Sequence, residues 1–376
     1  MPNVGAVRTS RVLLVSTPLG TLGSGRGGGV ELTIVNGARA LAGRGHVVTI
    51  LAPQGSALPA ALSSPTSGRG AVELVQASGS PPPSAQHQPR DAPIVMPPDG
   101  VLAAMWARAH RRQADHDLIV NFAFDWLPFY LTPFFTTPVA HLVSMSSLSD
   151  ALDGVAAGLA RECPGRLAVH SRAQAATFPF AEGLIVIGNG LDLGRYTFSP
   201  APRRADGPAP LGWVGRIAAE KGLEDALAAA ERADLPLHVW GVVEDAGYCA
   251  SLADRYPSTL VARGFRTTDQ LQAELGRCRA LLMTPKWVEA YGNVVAEALA
   301  CGVPVVTYRR GGPAELVEDG VSGFVVPPDS VAALADAVGR VGDLDRRACR
   351  QRAEAVCSLD AFATRLEAWL GPLLPR

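Results

Sequence analysis

The sequence predicts an α/β protein made of two Rossmann-like, doubly wound parallel-sheet domains that face each other across a cleft. Buried strands and helical segments alternate from residue 11 onwards, stop at a proline-rich, charged stretch at 199–210, and resume at 211. The chain has 376 residues, which suits two domains of ordinary size. Because such sheets bind ligands at the carboxyl ends of their strands, two facing edges would form a binding cleft.

The first domain is predicted to span residues 1–198. Residues 11–18 read RVLLVSTP, an apolar, β-branched run that ends at a turn. A glycine-rich segment follows, then apolar residues at helical spacing from Val30 to Ala42, and then a second strand at 46–53. The segment 54–100 is rich in Ser, Pro and Gly and is predicted to be a long loop. Further strands are predicted at 118–121, 138–143, 167–170 and 184–187.

The second domain is predicted to span residues 199–352, and its first residues form the linker. Apolar runs separated by helical segments predict a second parallel sheet. Its strands are predicted at 211–214, 237–240, 259–261, 280–284, 303–307 and 323–326. Residues 353–376 remain as a C-terminal helical segment.

Composition excludes several classes of protein. A hydrophobic fraction of 48% with 18% charged residues indicates a folded chain, and a net charge of −1 gives no general attraction for nucleic acid or an anionic membrane. The six cysteines form no C-x-x-C pair, which argues against a zinc, redox or disulfide framework. Because the sequence shows neither a signal peptide nor an uninterrupted apolar run of about 18 residues, a cytoplasmic protein is expected.

The glycine-rich loop raises one alternative. Gly23, Gly25 and Gly28 satisfy G-x-G-x-x-G between a strand and a helix, which is the pattern of an NAD-binding enzyme. That pattern also requires an acidic residue at the end of the second strand, and the strand here ends in LAPQ. The loop glycines would still allow backbone amides to approach an anion beside a helix N-terminus.

Two cations follow the first strand of the second domain. Arg216 and Lys221 lie in GRIAAEKG, at the carboxyl edge of the predicted sheet. An arginine can bond two phosphate oxygens with its planar fork, while a lysine supplies a mobile point charge. The pair therefore suits a diphosphate leaving group that is neutralised without a metal. The alternative is a solvated pair beside a helix start.

Two glutamates form the second signal, in EAYGNVVAE. Glu289 is expected in a loop and Glu297 on the helix that follows, at most ~12 Å apart from the helical rise. That separation exceeds the roughly 5–9.5 Å of a hydrolase acid and base pair. It suits two carboxylates that hold hydroxyls at opposite ends of a nucleotide sugar, with loop and helix amides pointing at the phosphates between them. The alternative for either glutamate is a solvated carboxylate on a capped helix.

Four segments together resemble the retaining glycosyltransferases of family 4, which have the GT-B fold. They are VGRIAAEKG, TPKWVEAYGNVVAEALACGVPVV, YRRGGPAELVEDGVSGFVV and GNGLDLGRYTF. The resemblance implies that Arg216 and Lys221 bind the donor diphosphate. It also implies that Glu297 binds the ribose and Glu289 the hydroxyls of the donor sugar.

The same resemblance implies further contacts. The donor would meet the segment after Glu289, namely Ala290, Tyr291, Gly292, Asn293 and Val294. Gly27, Gly28 and Gly29 would line the cleft from the first domain, and the last helix, 359–370, would cross back onto that domain. No metal and no cofactor beyond the sugar nucleotide is implied, and Asp343 and Asp345 are interpreted as a solvated helix start.

One position departs from the family pattern. Family members carry a histidine six residues after the proline that opens the fourth N-terminal strand, where it contacts donor sugar and phosphate. Counting from Pro138 gives Ser144 in this chain. The nearby His141 falls three residues earlier, in mid-strand. We therefore take Ser144 as a candidate catalytic residue and His141 as a weaker, core or acceptor-side candidate.

Within the family, three segments of the chain most resemble the cyanobacterial UDP-glucose:tetrahydrobiopterin α-glucosyltransferases. The segments STPLGTLGSGRGGGVELT, NFAFDWLPFYLTPFF and MTPKWVEAYGN carry this resemblance. Seven aromatic residues between 122 and 135 could stack a flat heterocycle, with Asn121 or Asp125 bonding its polar edge. Most of these aromatics are expected in the core, and Trp126 with Asp125 are expected to contact the acceptor.

The resulting hypothesis is a metal-independent, retaining transferase that moves glucose from UDP-glucose to a hydroxyl of a small acceptor, such as tetrahydrobiopterin or a related pterin. A saccharide or natural-product acceptor is the nearest alternative. An NAD-dependent oxidoreductase, a sugar-nucleotide isomerase or hydrolase, and a catalytically inactive binding protein are the others. Neither nucleic acid nor a membrane is expected as a partner.

Overall fold

The computed structural model describes residues 9–24, 28–63, 72–84, 86, 88–202 and 208–374. The chain divides into two compact units. The first comprises Met1–Gly190 together with Leu359–Arg376, and the second comprises Leu191–Ser358. Among the residues described, no helix is both long and apolar enough to cross a membrane.

Each unit contains one sheet, and the elements are numbered in chain order. The strands are β1 (Arg11–Val15), β2 (Val47–Pro53), β3 (Val72–Ala77), β4 (Leu118–Asn121), β5 (Val139–Val143), β6 (Leu167–Val169), β7 (Ile185–Val186), β8 (Leu211–Val214), β9 (Leu237–Trp240), β10 (Leu260–Gly264), β11 (Leu281–Met283), β12 (Val305–Tyr308) and β13 (Gly323–Val326).

Helices connect most of these strands. They are α1 (Gly28–Gly43), α2 (Ala60–Ser63), α3 (Val101–Arg112), α4 (Trp126–Leu131), α5 (Asp150–Glu162), α6 (Arg172–Ala175), α7 (Leu223–Arg232), α8 (Ala246–Arg255), α9 (Thr268–Leu275), α10 (Asn293–Ala300), α11 (Pro313–Leu316), α12 (Val331–Arg340), α13 (Arg346–Cys357) and α14 (Leu359–Leu370).

The first sheet is parallel throughout, with the order β3-β2-β1-β4-β5-β6-β7. Side chains of β1 alternate between two cores: Val12 and Leu14 pack with α1 and α14, whereas Leu13 and Val15 pack with α3. The strand is buried on both faces, which explains its continuous apolar sequence. The strand order reverses between β1 and β4, which makes their carboxyl ends a topological switch point.

The second sheet is also parallel, with the order β10-β9-β8-β11-β12-β13. One core joins β8, β9 and β12 to α7 and α12 through aliphatic and aromatic residues. The switch point lies between β8 and β11. The predicted Rossmann-like parallel sheet is confirmed in each of the two units.

Two features differ from the sequence prediction. The predicted loop at 54–100 contains β3, an edge strand whose partly exposed sequence VELVQA carries a weak hydrophobic signal. Residues 64–71, 85 and 87 of this segment lie outside the described residues. The predicted linker at 199–210 falls within the second unit, where Ser199 N donates to the Cys301 carbonyl oxygen over 3.0 Å, and its residues 203–207 lie outside the described residues.

The C-terminal helix α14 belongs to the first unit. Phe362 is fully buried against α1, and a Cβ at Gly190 would lie 2.6 Å from its Cβ. Trp369 Nε1 donates to the Gly165 carbonyl oxygen over 2.9 Å, and Arg365 Nε donates to that of Ile187 over 2.6 Å. The helix completes the core on one face of the first sheet.

Candidate active site

In the second unit, predicted site residues lie at the carboxyl ends of β8 and β11. The turn after β8 contains Gly222 in a left-handed conformation, with φ of 66°. A Cβ at Gly222 would lie 1.9 Å from the carbonyl oxygen of Thr284, and Thr284 Oγ1 donates to the Gly222 carbonyl oxygen over 2.8 Å. Only glycine permits this approach, which holds the loop of Lys221 against the loop of Glu289.

Lys221 and Glu289 form a partly buried ion pair at this switch point. The Nζ of Lys221 lies 2.6 Å from Oε2 of Glu289, with side-chain exposures of 15% and 19%. Trp287 Nε1 donates to the same oxygen over 3.1 Å, and its ring centroid lies 4.5 Å from the ammonium. Trp287 therefore orients both charges. Sequence reasoning did not single it out, although it lies in the segment that carries the resemblance.

Arg216 lies in the loop after β8, paired with other carboxylates. Its Nη2 donates to Glu220 Oε1 over 2.9 Å, and its Nη1 contacts Glu244. The guanidinium is about one-third exposed, at 35%. A diphosphate would compete with both carboxylates for the same planar fork.

A glycine pair after β12 shapes the loop of Glu289. Gly312 N donates to the Glu289 carbonyl oxygen over 2.8 Å. A Cβ at Gly311 would lie 2.5 Å from that oxygen, and a Cβ at Gly312 would lie 2.6 Å from the Cα of Tyr291. Backbone therefore packs directly on backbone, which explains the glycine pair in YRRGGPAEL.

The helix α10 carries the second glutamate. It begins after Gly292, whose φ is 93°, and its first residues, Asn293 and Val294, are half-buried. Glu297 is buried, and Tyr196 Oη donates to its Oε1 over 3.0 Å. Burial raises the pKa of Glu297 to about 7, while the Tyr196 bond acts to lower it. Tyr196 is a partner that the sequence did not reveal, although it lies in GNGLDLGRYTF.

Two further residues of the predicted donor segment, which lie between Glu289 and the start of α10 along the chain, are buried. Ala290 and Tyr291 have small exposed fractions, and Tyr291 Oη donates to Cys357 Sγ over 3.4 Å. Their backbone, rather than their side chains, is what the loop can offer to a ligand.

In the first unit, Ser144 follows β5 at its carboxyl end and is half-buried. Its Oγ lies 2.9 Å from His170 Nε2, and His170 Nδ1 lies 2.7 Å from the Gly188 carbonyl oxygen. Burial lowers the pKa of His170 to about 4. Sequence reasoning placed residue 170 at a strand end but gave it no role.

The glycine loop of the first unit is described in part. Gly28, with φ of 66°, and Gly29 begin α1 and are exposed, whereas Gly25 and Gly27 lie outside the described residues. Glu31 accepts a hydrogen bond from Gly23 N over 2.6 Å, so this carboxylate ties the loop to the helix.

A pocket opens at the carboxyl edge of the same sheet, beside the N-terminus of α4. Asp125 caps α4 by accepting from Leu127 N over 3.0 Å, and Trp126 stacks on Tyr130 with ring centroids 4.4 Å apart. Burial raises the pKa of Asp125. The other walls are the proline-rich segment before α3 and the turn after β1; the lining includes Thr17, Pro83, Pro93, Val95, Phe124 and Leu152.

Two weaker acceptor candidates prove to be core residues. Asn121 Nδ2 donates to the Ala123 carbonyl oxygen over 2.8 Å and lies 3.1 Å from His141 Nδ1. The Nε2 of His141 lies 2.8 Å from Thr132 Oγ1, and burial lowers the pKa of His141 to about 3. Asn121 and His141 are buried and hydrogen-bonded inside the sheet, and neither lines the pocket. Their assignment to the acceptor is corrected, and the burial of His141 agrees with its interpretation as a core residue.

Other aromatics of this region divide between core and surface. Phe122 and Phe129 are buried as expected, whereas Tyr130 in α4 and Phe134 just after it are exposed.

Asp345 accepts from Arg347 N over 2.8 Å and caps α13, which agrees with a helix start.

Comparison with known proteins bears on the second unit most directly. Residues 197–356 match the family described as glycosyl transferases group 1, and this segment contains Arg216, Lys221, Glu289 and Glu297. The glycogen synthase of Mycobacterium tuberculosis is 36% identical over 179 residues, which is 46% of this chain and 42% of that protein. The chain spans less than two thirds of the length of the curated relatives it matches.

Solved structures match nearly the whole chain. AviGT4, a glycosyltransferase involved in avilamycin A biosynthesis, has a TM-score of 0.69 and 21% identity, covering 97% of this chain and 98% of that one. Anabaena HepE, solved in complex with UDP and glucose, has a TM-score of 0.72 and 20% identity, covering 96% and 100%. Residues 197–356 thus match the glycosyl transferases group 1 family, and the fold of the chain is that of GT-B glycosyltransferases.

Proposed function

We propose that this protein is a retaining glucosyltransferase that moves glucose from UDP-glucose to a hydroxyl of a small acceptor. The observation that carries the proposal is the Lys221–Glu289 pair at the switch point of the second sheet, with Arg216 in the adjoining loop. The group 1 match over the same residues supports it, as does the presence of UDP and glucose in the HepE structure.

When the donor binds, its phosphates and sugar hydroxyls would replace the ion-pair partners that these side chains have within the loops. Arg216 would release Glu220 and Glu244 to grip the diphosphate, and Lys221 would turn from Glu289 towards the same phosphates. Glu289 would then accept hydrogen bonds from the glucose hydroxyls. These exchanges replace one set of charge pairs by another, so that the departing UDP is neutralised by protein cations, and the proposal includes no metal or other cofactor.

The remaining donor contacts are assigned to the start of α10. The backbone of 290–294 would face the phosphates, where the positive end of the helix favours negative charge. Glu297 would hold the ribose hydroxyls while Tyr196 fixes one of its oxygens.

In the proposed reaction the acceptor oxygen forms a bond to the anomeric carbon on the face that UDP vacates. The bond from that carbon to the phosphate oxygen breaks, and the same phosphate oxygen takes the acceptor proton. The configuration at the anomeric carbon is retained, and no side-chain base is required.

The pocket of the first unit is proposed as the acceptor site. Trp126 offers a flat aromatic surface, and Asp125 is a partly buried carboxylate beside it. A reduced pterin such as tetrahydrobiopterin has a ring that can stack on Trp126, and it has N–H groups that can donate hydrogen bonds to a carboxylate.

A turnover screen tests the proposal. UDP-glucose, UDP-galactose, UDP-N-acetylglucosamine and GDP-mannose are each offered with a reduced pterin, a saccharide and no acceptor, in the presence and absence of a chelator. We expect chelator-resistant transfer from UDP-glucose to the pterin, with an α-linked product by NMR. Transfer only to the saccharide would show that the acceptor is a saccharide and not a pterin. Release of UDP without any acceptor would indicate a hydrolase. Binding of NAD(H) without UDP would overturn the transferase assignment.

A further inference from the structure

Ser144 and His170 lie side by side where two neighbouring parallel strands end. Ser144 directly follows β5 and His170 directly follows β6, at the edge where sheets of this order bind ligands. The histidine bridges the serine hydroxyl to the Gly188 carbonyl oxygen, over 2.9 Å and 2.7 Å. A half-buried hydroxyl is thus held by a buried ring that is itself anchored to the backbone.

The direction of these hydrogen bonds follows from the anchor. A carbonyl oxygen can only accept, so Nδ1 of His170 carries the proton. Burial lowers the pKa of His170 to about 4, so near neutral pH the ring is uncharged and Nε2 has no proton. The Ser144 hydroxyl must therefore donate to Nε2. The Ser144 oxygen can then accept a further hydrogen bond but cannot donate one.

We propose that His170 is a positioning residue that fixes Ser144 as a hydrogen-bond acceptor for a substrate hydroxyl group. The inference rests on the transferase function proposed above, which supplies two hydroxyl-bearing molecules, the glucosyl donor and the acceptor. A serine with a freely rotating hydroxyl could donate as readily as accept. The locked serine disfavours groups that only accept, such as a phosphate oxygen, and favours an O–H.

The same geometry argues against a Ser–His base. If Ser144 relayed a proton from the substrate to Nε2, an imidazolium would form in a buried site, where desolvation disfavours the charged form. The pair is suited to holding a hydroxyl in place while its proton leaves by another route.

Two substitutions of the histidine separate this role from a packing role. His170→Phe keeps a flat ring and removes both nitrogens, whereas His170→Gln keeps a carbonyl oxygen that can accept from Ser144. We expect His170→Phe to lower kcat/KM roughly tenfold and His170→Gln to stay within about twofold of wild type, with UDP affinity unchanged in both. In a Ser144→Ala background, His170→Phe should cause no further loss.

His116→Phe is a matched control. His116 is equally buried, precedes β4 at the opposite end of the sheet, and lies with its Nδ1 3.1 Å from the Arg112 carbonyl oxygen. We expect it to leave kcat/KM near wild type, and thermal melting checks that each variant folds. Wild-type kcat/KM in a folded His170→Phe variant, or equal losses in the Phe and Gln variants, would overturn the inference.

Deoxygenated substrates identify the hydroxyl. For the singly deoxygenated UDP-glucose that lacks the bonded hydroxyl, wild type and His170→Phe should have equal kcat/KM; if every deoxygenated donor keeps the wild-type difference, the bonded hydroxyl belongs to the acceptor. Nitrogen NMR of the ring tests the hydrogen-bond direction without turnover: a proton on Nδ1 is expected, and a proton on Nε2 would contradict it. Absence of all glycosyl transfer by the wild type would instead refute the proposed function.

Discussion

Lys221 and Glu289 neutralise each other in this structure, and in the proposed reaction each exchanges that partner for a substrate group. The pair is only partly exposed, so the removal of one member leaves the other charge poorly solvated as well as removing a ligand contact. Effects on turnover should therefore exceed effects on folding, because the loop itself is held by backbone hydrogen bonds.

Lys221→Ala and Glu289→Gln should each lower kcat by roughly 10²–10³, the range expected when one charged group is lost from a transition state. Glucose transfer from UDP-glucose measures this, and circular dichroism should show an intact fold. Glu231→Gln, at an exposed position on α7, is the control and should keep wild-type turnover. Near wild-type rates for both site variants would show that Lys221 and Glu289 do not take part in the reaction.

Glu297 should make the stability of the second unit depend on pH. Burial raises the pKa of this carboxyl from 4.5 to about 7, so between these values the folded state holds a proton that the unfolded state has lost. The free energy of unfolding should therefore fall as pH rises from about 4.5 to 7, by on the order of 3 kcal/mol at most. Glu297→Gln should lack this fall.

Chemical denaturation at about pH 5 and pH 8 measures the difference between wild type and Glu297→Gln. Glu231→Gln should retain the wild-type pH dependence. Parallel curves for wild type and Glu297→Gln would show that the carboxyl of Glu297 has an ordinary pKa.

At the level of elements, the donor loops are held by close backbone contacts. Gly222 against Thr284, and Gly311 and Gly312 against 289–291, leave no room for a Cβ. These contacts make the loop geometry rigid before any ligand binds. They explain why glycines stand at these three positions beside the charged residues.

Gly312→Ala should displace the loop of Glu289, because its Cβ would lie 2.6 Å from the Cα of Tyr291. We expect a destabilisation of about 1–3 kcal/mol and a weaker UDP affinity by calorimetry. Gly339→Ala in α12 has open space around the new Cβ, and it should be neutral or stabilising by about 0.5–1 kcal/mol. Equal UDP affinities in the two variants would argue against the shaping role of Gly312.

The side chains at the start of α4 should control how tightly the acceptor binds. Trp126→Ala should raise KM for the acceptor about tenfold and leave the KM for UDP-glucose unchanged, because the two sites lie on different units. Asp125→Asn should do the same while it keeps the helix cap. Phe134→Ala, at a residue 60% exposed and outside the pocket lining, serves as the control. A change confined to the donor KM would place the acceptor elsewhere.

At the level of the whole molecule, α14 makes the first unit depend on the last residues of the chain. Phe362→Ala should destabilise that unit by about 3–5 kcal/mol, because a fully buried aromatic ring is lost from a core that includes α1. Thr364→Ala, at an exposed position, should cost far less. Calorimetric melting of both variants measures this, and equal melting curves would show that α14 is dispensable.

Much of the fold could be predicted from local sequence. The bounds of β4, β8, β9 and β13 agree with their apolar runs, because buried parallel strands are apolar on both faces. The edge strand β3 was missed since it is partly exposed and alternates weakly. The start of the second unit was misplaced because proline content indicates a turn, whereas hydrogen bonds such as that from Arg350 to the Tyr196 carbonyl oxygen decide which unit the segment belongs to.

The sequence by itself determined the two parallel sheets and the residue types at their carboxyl edges, because burial periodicity and loop chemistry are local properties. Only the tertiary structure decided that Lys221 pairs with Glu289, that Tyr196 bonds Glu297, and that His141 is buried while His170 holds Ser144. Partners distant along the chain meet through strand order and helix packing, which no local pattern encodes.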